Sequence, residues 1–198
     1  AQGKIHPDGY VELLSTHEQI LDGNGMRFLG GTFPASKEYR KTLTQYTELI
    51  GKELATRGVI GSYSIDFLLS DENGQTVVWV IEINIRKGGT THPYFTAKYL
   101  TNSRYDSKKG ILINDNNQEV VYISNDNFIF EQFKKYSVSY WLDLVNDQGL
   151  LFSAQRQEGV VFHLLEAMNP VGKISYTVIS KNIEDARKLE QRLFNLVK

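Results

Sequence analysis

Cysteine is absent from this 198-residue chain. Disulfides, thiolate metal sites and cysteine nucleophiles are therefore excluded, and the composition fits a reducing, cytoplasmic setting. Charge of one sign is equally lacking. Lys and Arg number 22 against 23 Asp and Glu, for a formal net charge of −1, and no run of like charges occurs. Neither a nucleic-acid nor a membrane-surface partner finds electrostatic support. No apolar stretch approaches the ~18 residues that would span a bilayer. The chain begins Ala1-Gln-Gly-Lys-Ile-His, with no hydrophobic signal segment. It also has no initiator Met, a pointer to sequence removed upstream. Internal repeats and low-complexity tracts are missing too. What remains is ordinary globular composition, 41% hydrophobic, enough for one large or two small domains with a real core.

The apolar spacing predicts an α+β fold dominated by antiparallel pairs. Residues 8–15 read as a turn and strand, and the glycine-rich stretch 22–32 as a loop. Pro34 and Ser36 open a helix through about Arg57, with Tyr39, Leu43, Tyr46, Ile50 and Leu54 on one stripe and Gly58 as the stop. Residues 59–70 and 76–85 form a hairpin around Asp71-Glu-Asn-Gly74. A helix follows from Pro93 to about Leu100. Further strands are expected near 110–114, 119–124, 159–168 and 173–180. Helices are expected over 137–146 and 183–197, the last capped by Asn182. A polar connection at 101–104 divides the chain into domains 1–101 and 102–198.

Chemistry concentrates in residues 59–93. Asp66 interrupts one apolar strand; Glu82 and Asn84 interrupt the next, in Val-Ile-Glu82-Ile-Asn84-Ile. Residues two apart on a strand share a face, so Glu82 and Asn84 point together. Their hard oxygens suit Mg²⁺ or Mn²⁺. Leaving such groups unpaired among apolar neighbours is expensive, which suggests a shared cation. A solvated hairpin face would also carry acidic residues, so register decides between the two. A regular two-residue turn at Asn73-Gly74 puts Asp66 opposite Ile81, on the wrong face. An odd loop or a bulge restores a common one, and one of the two is expected. Arg86, two residues beyond Asn84, shares that face if the strand persists, and can clamp phosphate. Gly88-Gly89-Thr90-Thr91 can present N–H groups to an anion or simply turn the chain into a helix.

The pattern Gly58-x-x-Gly61-x-x-x-x-Asp66-Phe67, followed by Ile81-Glu82-Ile-Asn84-x-Arg86, resembles two metal-ligand motifs of the ATP-grasp superfamily. The longer string Glu82-Ile-Asn84-Ile-Arg86-Lys87-Gly88-Gly89-Thr90-Thr91-His92-Pro93 resembles its peptide-ligase branch, typified by the pheganomycin peptide ligase. Leu13-Leu14-Ser15-Thr16-His17-Glu18-Gln19 and Gln155-x-Gln157-x-Gly159-Val160-Val161-Phe162-His163 are similar to that branch as well. The resemblance covers nearly the whole chain. It implies the C-terminal subdomain of an ATP-grasp fold, an antiparallel sheet with helices, plus a small α/β C-terminal domain.

The implied activity joins a carboxylate to an amine through an acyl phosphate, with ATP and Mg²⁺ (or Mn²⁺) as cofactors and small-molecule carboxylates and amines as substrates. Asp66, Glu82 and Asn84 would hold metal. Arg86 would be catalytic, and with Gly88, Gly89 and Thr90 would bind nucleotide. Thr91 would touch phosphate or the acyl group. His17 and Gln19 would line the substrate side or merely end a surface strand.

Such enzymes enclose nucleotide between two subdomains, and the lysines and glycine-rich flap of the first are missing here. The expected partner is accordingly an N-terminal half of the same polypeptide, about 200 residues by typical domain size, without which the chain is expected to be inactive. Two alternatives stay open. One is a non-catalytic accessory domain of ligase ancestry. The other is a metal-dependent nuclease, although Asn84 stands where such sites carry a lysine. His163, in an apolar strand, reads as a hydrogen-bonded core residue.

Overall fold

A computed structural model describes residues 1–197, which form two compact units. The first gathers Ala1–Glu18, Phe33–Tyr94 and Tyr105–Ile111; the second gathers Gln19–Thr32, Phe95–Arg104 and the chain from Leu112 onward. The chain passes between them several times, where a single division near 101 was expected.

In the first unit, strands β1 (Gln2–Ile5), β2 (Val11–Ser15), β5 (Gly61–Glu72) and β6 (Gln75–Asn84) pair in the order β2-β1-β5-β6. The last two form the expected hairpin. Helix α1 (Lys37–Thr56) starts where the sequence indicates, with the Ser36 hydroxyl accepting from the Glu38 N–H. It packs on one sheet face, where Tyr63 and Ile65 are buried with Ile50, Leu54 and Phe67 around them. The Tyr63 hydroxyl donates to the Thr47 carbonyl at 2.8 Å. That fixes which way β5 faces: its odd-numbered residues meet the helix, and its even-numbered residues look to the other side.

β3 (Glu18–Leu21) runs up to the stretch 22–32 expected to be a loop, and β4 (Phe28–Phe33) occupies its second half. The turn is confined to its beginning, where Asp22 accepts from the N–H groups of Met26 and Arg27. Gly30 and Gly31 are strand residues. A Cβ on Gly30 would lie 1.9 Å from the Ser124 carbonyl oxygen of the neighbouring strand, so glycine here permits close strand approach and marks no loop.

β4 joins the sheet of the second unit, ordered β10-β11-β9-β4-β3, with β9 (Glu119–Ile129), β10 (Gly159–His163) and β11 (Lys173–Ser180). Two short strands, β7 (Arg104–Asp106) and β8 (Ile111–Ile113), precede β9. The core here contains Trp141, Phe133, Tyr176, Val178 and Leu189, with the Trp141 and Phe133 rings edge to face at 5.0 Å.

Helix α2 (Thr91–Leu100) follows the hairpin. α3 (Val138–Asp147) and α5 (Ile183–Asn195) stand close to their expected bounds, capped by Ser137 and Asn182. A strand expected to reach residue 168 ends at His163. Leu164 adopts a left-handed φ of 55° and starts a 3-10 turn, and short α4 (Met168–Val171) follows. No helix among the described residues is long and apolar enough to cross a membrane.

Candidate ligase site

The hairpin β5–β6 turns tightly, with Glu72 opposite Gln75 around Asn73-Gly74, and runs regularly to Phe67 opposite Val80. There the ladder shifts. Asp66 lies opposite Glu82, so Ile81 has no partner on β5. Of the two expected remedies the bulge is realised and the odd loop is not: the turn is the two-residue kind that alone would spoil the face, and the bulge repairs it. Directly opposed residues in an antiparallel pair project together. Asp66, Glu82, Asn84 and Ser64 (opposite Asn84) consequently share the face turned away from α1.

Asp66 and Asn84 are half-buried and Glu82 is exposed. Among the described residues Glu82 and the Asn84 side chain make no hydrogen bond or ion pair. Two carboxylates directly opposed across strands destabilise one another. A divalent cation removes that repulsion, and three hard oxygen donors suit Mg²⁺ or Mn²⁺. The donor set therefore fits such an ion, although no group of three or more His, Cys, Asp or Glu side chains with metal-binding placement exists among the described residues. A metal held on this face would need Asn84 as its third donor.

The loop after β6 folds back over this face. A Cβ built on Gly88 would lie 3.3 Å from the Ser64 hydroxyl, so the chain crosses Ser64 closely. Thr91, 7% exposed, holds it there. Its hydroxyl accepts from the Gly88 N–H at 3.0 Å and donates to Gln2 Oε1 at 2.9 Å. Gln2 Nε2 in turn donates to the Ser15 hydroxyl at 2.7 Å and reaches the Thr90 carbonyl at 3.4 Å. The register aligns Ser15, Gln2, Ser64 and Asn84 in one row across the four strands.

The expected anion donors fare unequally. The Gly88 N–H is engaged by Thr91, so Gly88 shapes the loop and offers no free donor. Gly89 is exposed, and Thr90 presents its carbonyl inward to Gln2 and to the Tyr94 N–H. Strand β6 stops at Asn84, so strict alternation does not carry Arg86. Arg86 is exposed, and its guanidinium donates to the Lys87 carbonyl at 3.1 Å. Thr91 is a buried positioning residue.

Gln2 and Ser64 escaped the sequence reading. Ser64 was readable, two residues before Asp66; Gln2 enters only through the register of β1 against β5. His17 sits 5.6 Å from the Phe33 ring centroid, and burial holds its pKa well below the ordinary histidine value. Gln19 is exposed. His163 Nε2 lies 3.0 Å from the Thr177 hydroxyl on the neighbouring strand, a hydrogen bond within the sheet.

The family described as IQCH-like, ATP-grasp matches residues 2–108, more than half of the chain and the whole of this site. The chain belongs to the IQCH-like ATP-grasp family. A second family, the PGM1 C-terminal domain, matches residues 142–193. Among curated proteins, L-propargylglycine–L-glutamate ligase of Streptantibioticus cattleyicolor is 29% identical over 184 residues, 93% of this chain and 37% of that protein. Among solved structures, the ADP complex of PurK, N5-carboxyaminoimidazole ribonucleotide synthetase, superposes with a TM-score of 0.54 at 16% identity. That match covers 98% of this chain and 47% of PurK. The likeness to PurK shows the fold, α+β of the ATP-grasp kind. The chain spans about a third of the curated relative's length and about half of the structural one's.

Proposed function

We propose that this chain forms the metal-binding wall of an ATP-dependent carboxylate–amine ligase that joins amino acids or short peptides. The observation that carries the reading is the bulge at Ile81, which brings Asp66 opposite Glu82 and aligns Asn84 with them. A solvated hairpin has no need of it. The curated relative's own name, an amino acid–amino acid ligase, supports the substrate class.

In this reading Asp66, Glu82 and Asn84 hold Mg²⁺ or Mn²⁺, which would neutralise charge on the phosphates of ATP. A substrate carboxylate oxygen attacks the γ-phosphorus and ADP leaves. The amine then displaces phosphate from the acyl phosphate, forming the amide and losing a proton. Arg86 gives up its carbonyl contact and turns its guanidinium to the transferring phosphoryl group, where its planar fork suits phosphate oxygens. Gly88 and Thr90 keep the loop low over the face, and Gly89 contributes its exposed N–H.

The other wall comes from a further domain of the same polypeptide. In support, β6 is the edge of its sheet and exposes Trp79, Val80, Ile81 and Ile83. The complete natural polypeptide is expected to release ADP from ATP only when offered both a carboxylate and an amine, and to form the amide. Glu82→Ala is expected to lower that rate by about a thousandfold, the scale of removing one strong charge-stabilising group. Amide formation that survives in Glu82→Ala defeats the reading. Absence of any ligation in the complete protein leaves the accessory-domain alternative in its place.

A further inference from the structure

On the α1 side of the first unit, away from the Asp66 face, lies a cavity of about 150 Å³. Lys37, Arg40, Lys41 and Thr44 of α1 line it together with Lys108 and Lys109 of the segment after β7. Five cationic side chains thus surround a small space, and none of its lining residues is acidic. The whole chain carries a formal charge of −1, so this concentration of positive charge is local. It repels itself unless an anion is present.

The floor of the cavity is rigid. Arg40 is 8% exposed, and its Nε donates to the Ala35 carbonyl at 2.7 Å while another guanidinium nitrogen donates to the Lys109 carbonyl at 3.1 Å. Gly110, at φ +67°, lies so close against Arg40 that a Cβ would come within 2.4 Å of its Cδ. The segment is therefore moulded onto the arginine. Asp106, the last residue of β7, accepts at Oδ1 from the N–H groups of Lys108 and Lys109 and forms no ion pair with them. Lys37, Lys41, Lys108 and Lys109 make no ion pair among the described residues. These four exposed lysines line one cavity with a guanidinium that two backbone carbonyls already orient, a set of donors that suits several acceptor oxygens at once.

We propose that this cavity is a second anion site, for one or two linked phosphate groups. Its volume corresponds to about five water molecules at ~30 Å³ each, enough for such a group and too small for a nucleoside. The phosphates could belong to free phosphate or pyrophosphate, or to a nucleotide whose base lies outside. The site is separate from the ligase face, so it stands or falls independently of the ligase reading.

Calorimetric titration at low salt distinguishes the outcomes, performed on a Glu82→Ala, Arg86→Ala protein so that neither metal-held nor arginine-held phosphate on the ligase face contributes. Pyrophosphate is expected to bind with a dissociation constant of about 1 mM or tighter, and inorganic phosphate more weakly. Lys41→Glu together with Lys108→Glu is expected to weaken pyrophosphate about tenfold or more, one charge-assisted contact being worth about that factor. The milder pair Lys41→Ala and Lys108→Ala, both at exposed positions, gives the same direction should charge reversal unfold the protein. ADP binding as tightly as pyrophosphate identifies free phosphates as the ligand; tighter ADP binding identifies a nucleotide. No saturable heat up to about 10 mM pyrophosphate, or heat unaffected by the lysine substitutions, overturns the proposal.

Discussion

Glu82 stands directly across from Asp66 with no hydrogen-bonding or ionic partner of its own among the described residues. Such a pair is unfavourable without a cation between its members. The same side chain that the ligase reading requires should therefore cost stability in metal-free protein. Removing it separates the two roles. In EDTA, Glu82→Ala is expected to be more stable than the natural protein by a few tenths to about 1 kcal/mol, the range of one cross-strand pair. In millimolar Mg²⁺ the difference should shrink or reverse, because only the natural protein gains from binding the ion. Urea denaturation under the two conditions provides the check. A Glu82→Ala protein less stable than the natural one in EDTA would mean that Glu82 has a structural partner, and the electrostatic account of the face would fail. Asn84 is a useful control, since its loss removes an oxygen without relieving any repulsion.

At the scale of the hairpin, the bulge makes two deletions unequal. Without Ile81 the ladder becomes regular, Asp66 still faces Glu82, and Asn84 still faces Ser64. Without Ile83, Glu82 keeps its place while Asn84 moves opposite Ile65, onto the α1 side. Deleting Ile81 is expected to leave ATP-dependent Mn²⁺ binding within a few-fold of normal. Deleting Ile83 should weaken it about tenfold or more, the scale of losing an oxygen that positions the ion. Electron paramagnetic resonance of bound Mn²⁺ reads both, and equal affinities would exclude Asn84 from the site. The sequence held much of this: the polar interruptions at Asp66, Glu82 and Asn84, the turn at Asn73-Gly74, and the arithmetic that demanded a repair. It could not choose between an odd loop and a bulge, because both satisfy the same parity. Elements defined by local signals, such as α1 behind Ser36 and α5 behind Asn182, were legible for the same reason. β1 and β4 were not. Gln2-Gly3 and Gly30-Gly31 have poor strand propensity, and their conformation comes from partners distant in sequence. Arg86 shows the complementary limit, since alternation beyond Asn84 assumed a strand that has already ended.

For the molecule as a whole, β6 poses a problem that the described residues leave unsolved. It is an edge strand of ten residues, and Trp79, Ile81 and Ile83 on it are 50%, 61% and 44% exposed. A long apolar edge with unpaired backbone groups invites association, and proteins normally cover or charge it. Neither device is present along residues 77–81, Val-Val-Trp-Val-Ile. The relatives are longer, this chain matching 37% of one and 47% of the other; in the proposed ligase reading, the cover is a further domain of the same polypeptide. Trp79 and Trp141 make the test self-calibrating, because Trp141 is fully buried and should resist acrylamide whatever surrounds β6. In the isolated chain Trp79 fluorescence should be quenched readily. In the complete polypeptide it should approach the protection of Trp141, with slowed amide exchange along residues 75–84. Equal accessibility of Trp79 in both would place the further domain elsewhere. The Asp66–Glu82 face would then lack the second wall that an enclosed nucleotide needs, and a metal-binding surface without catalysis would describe the chain better than half of a ligase.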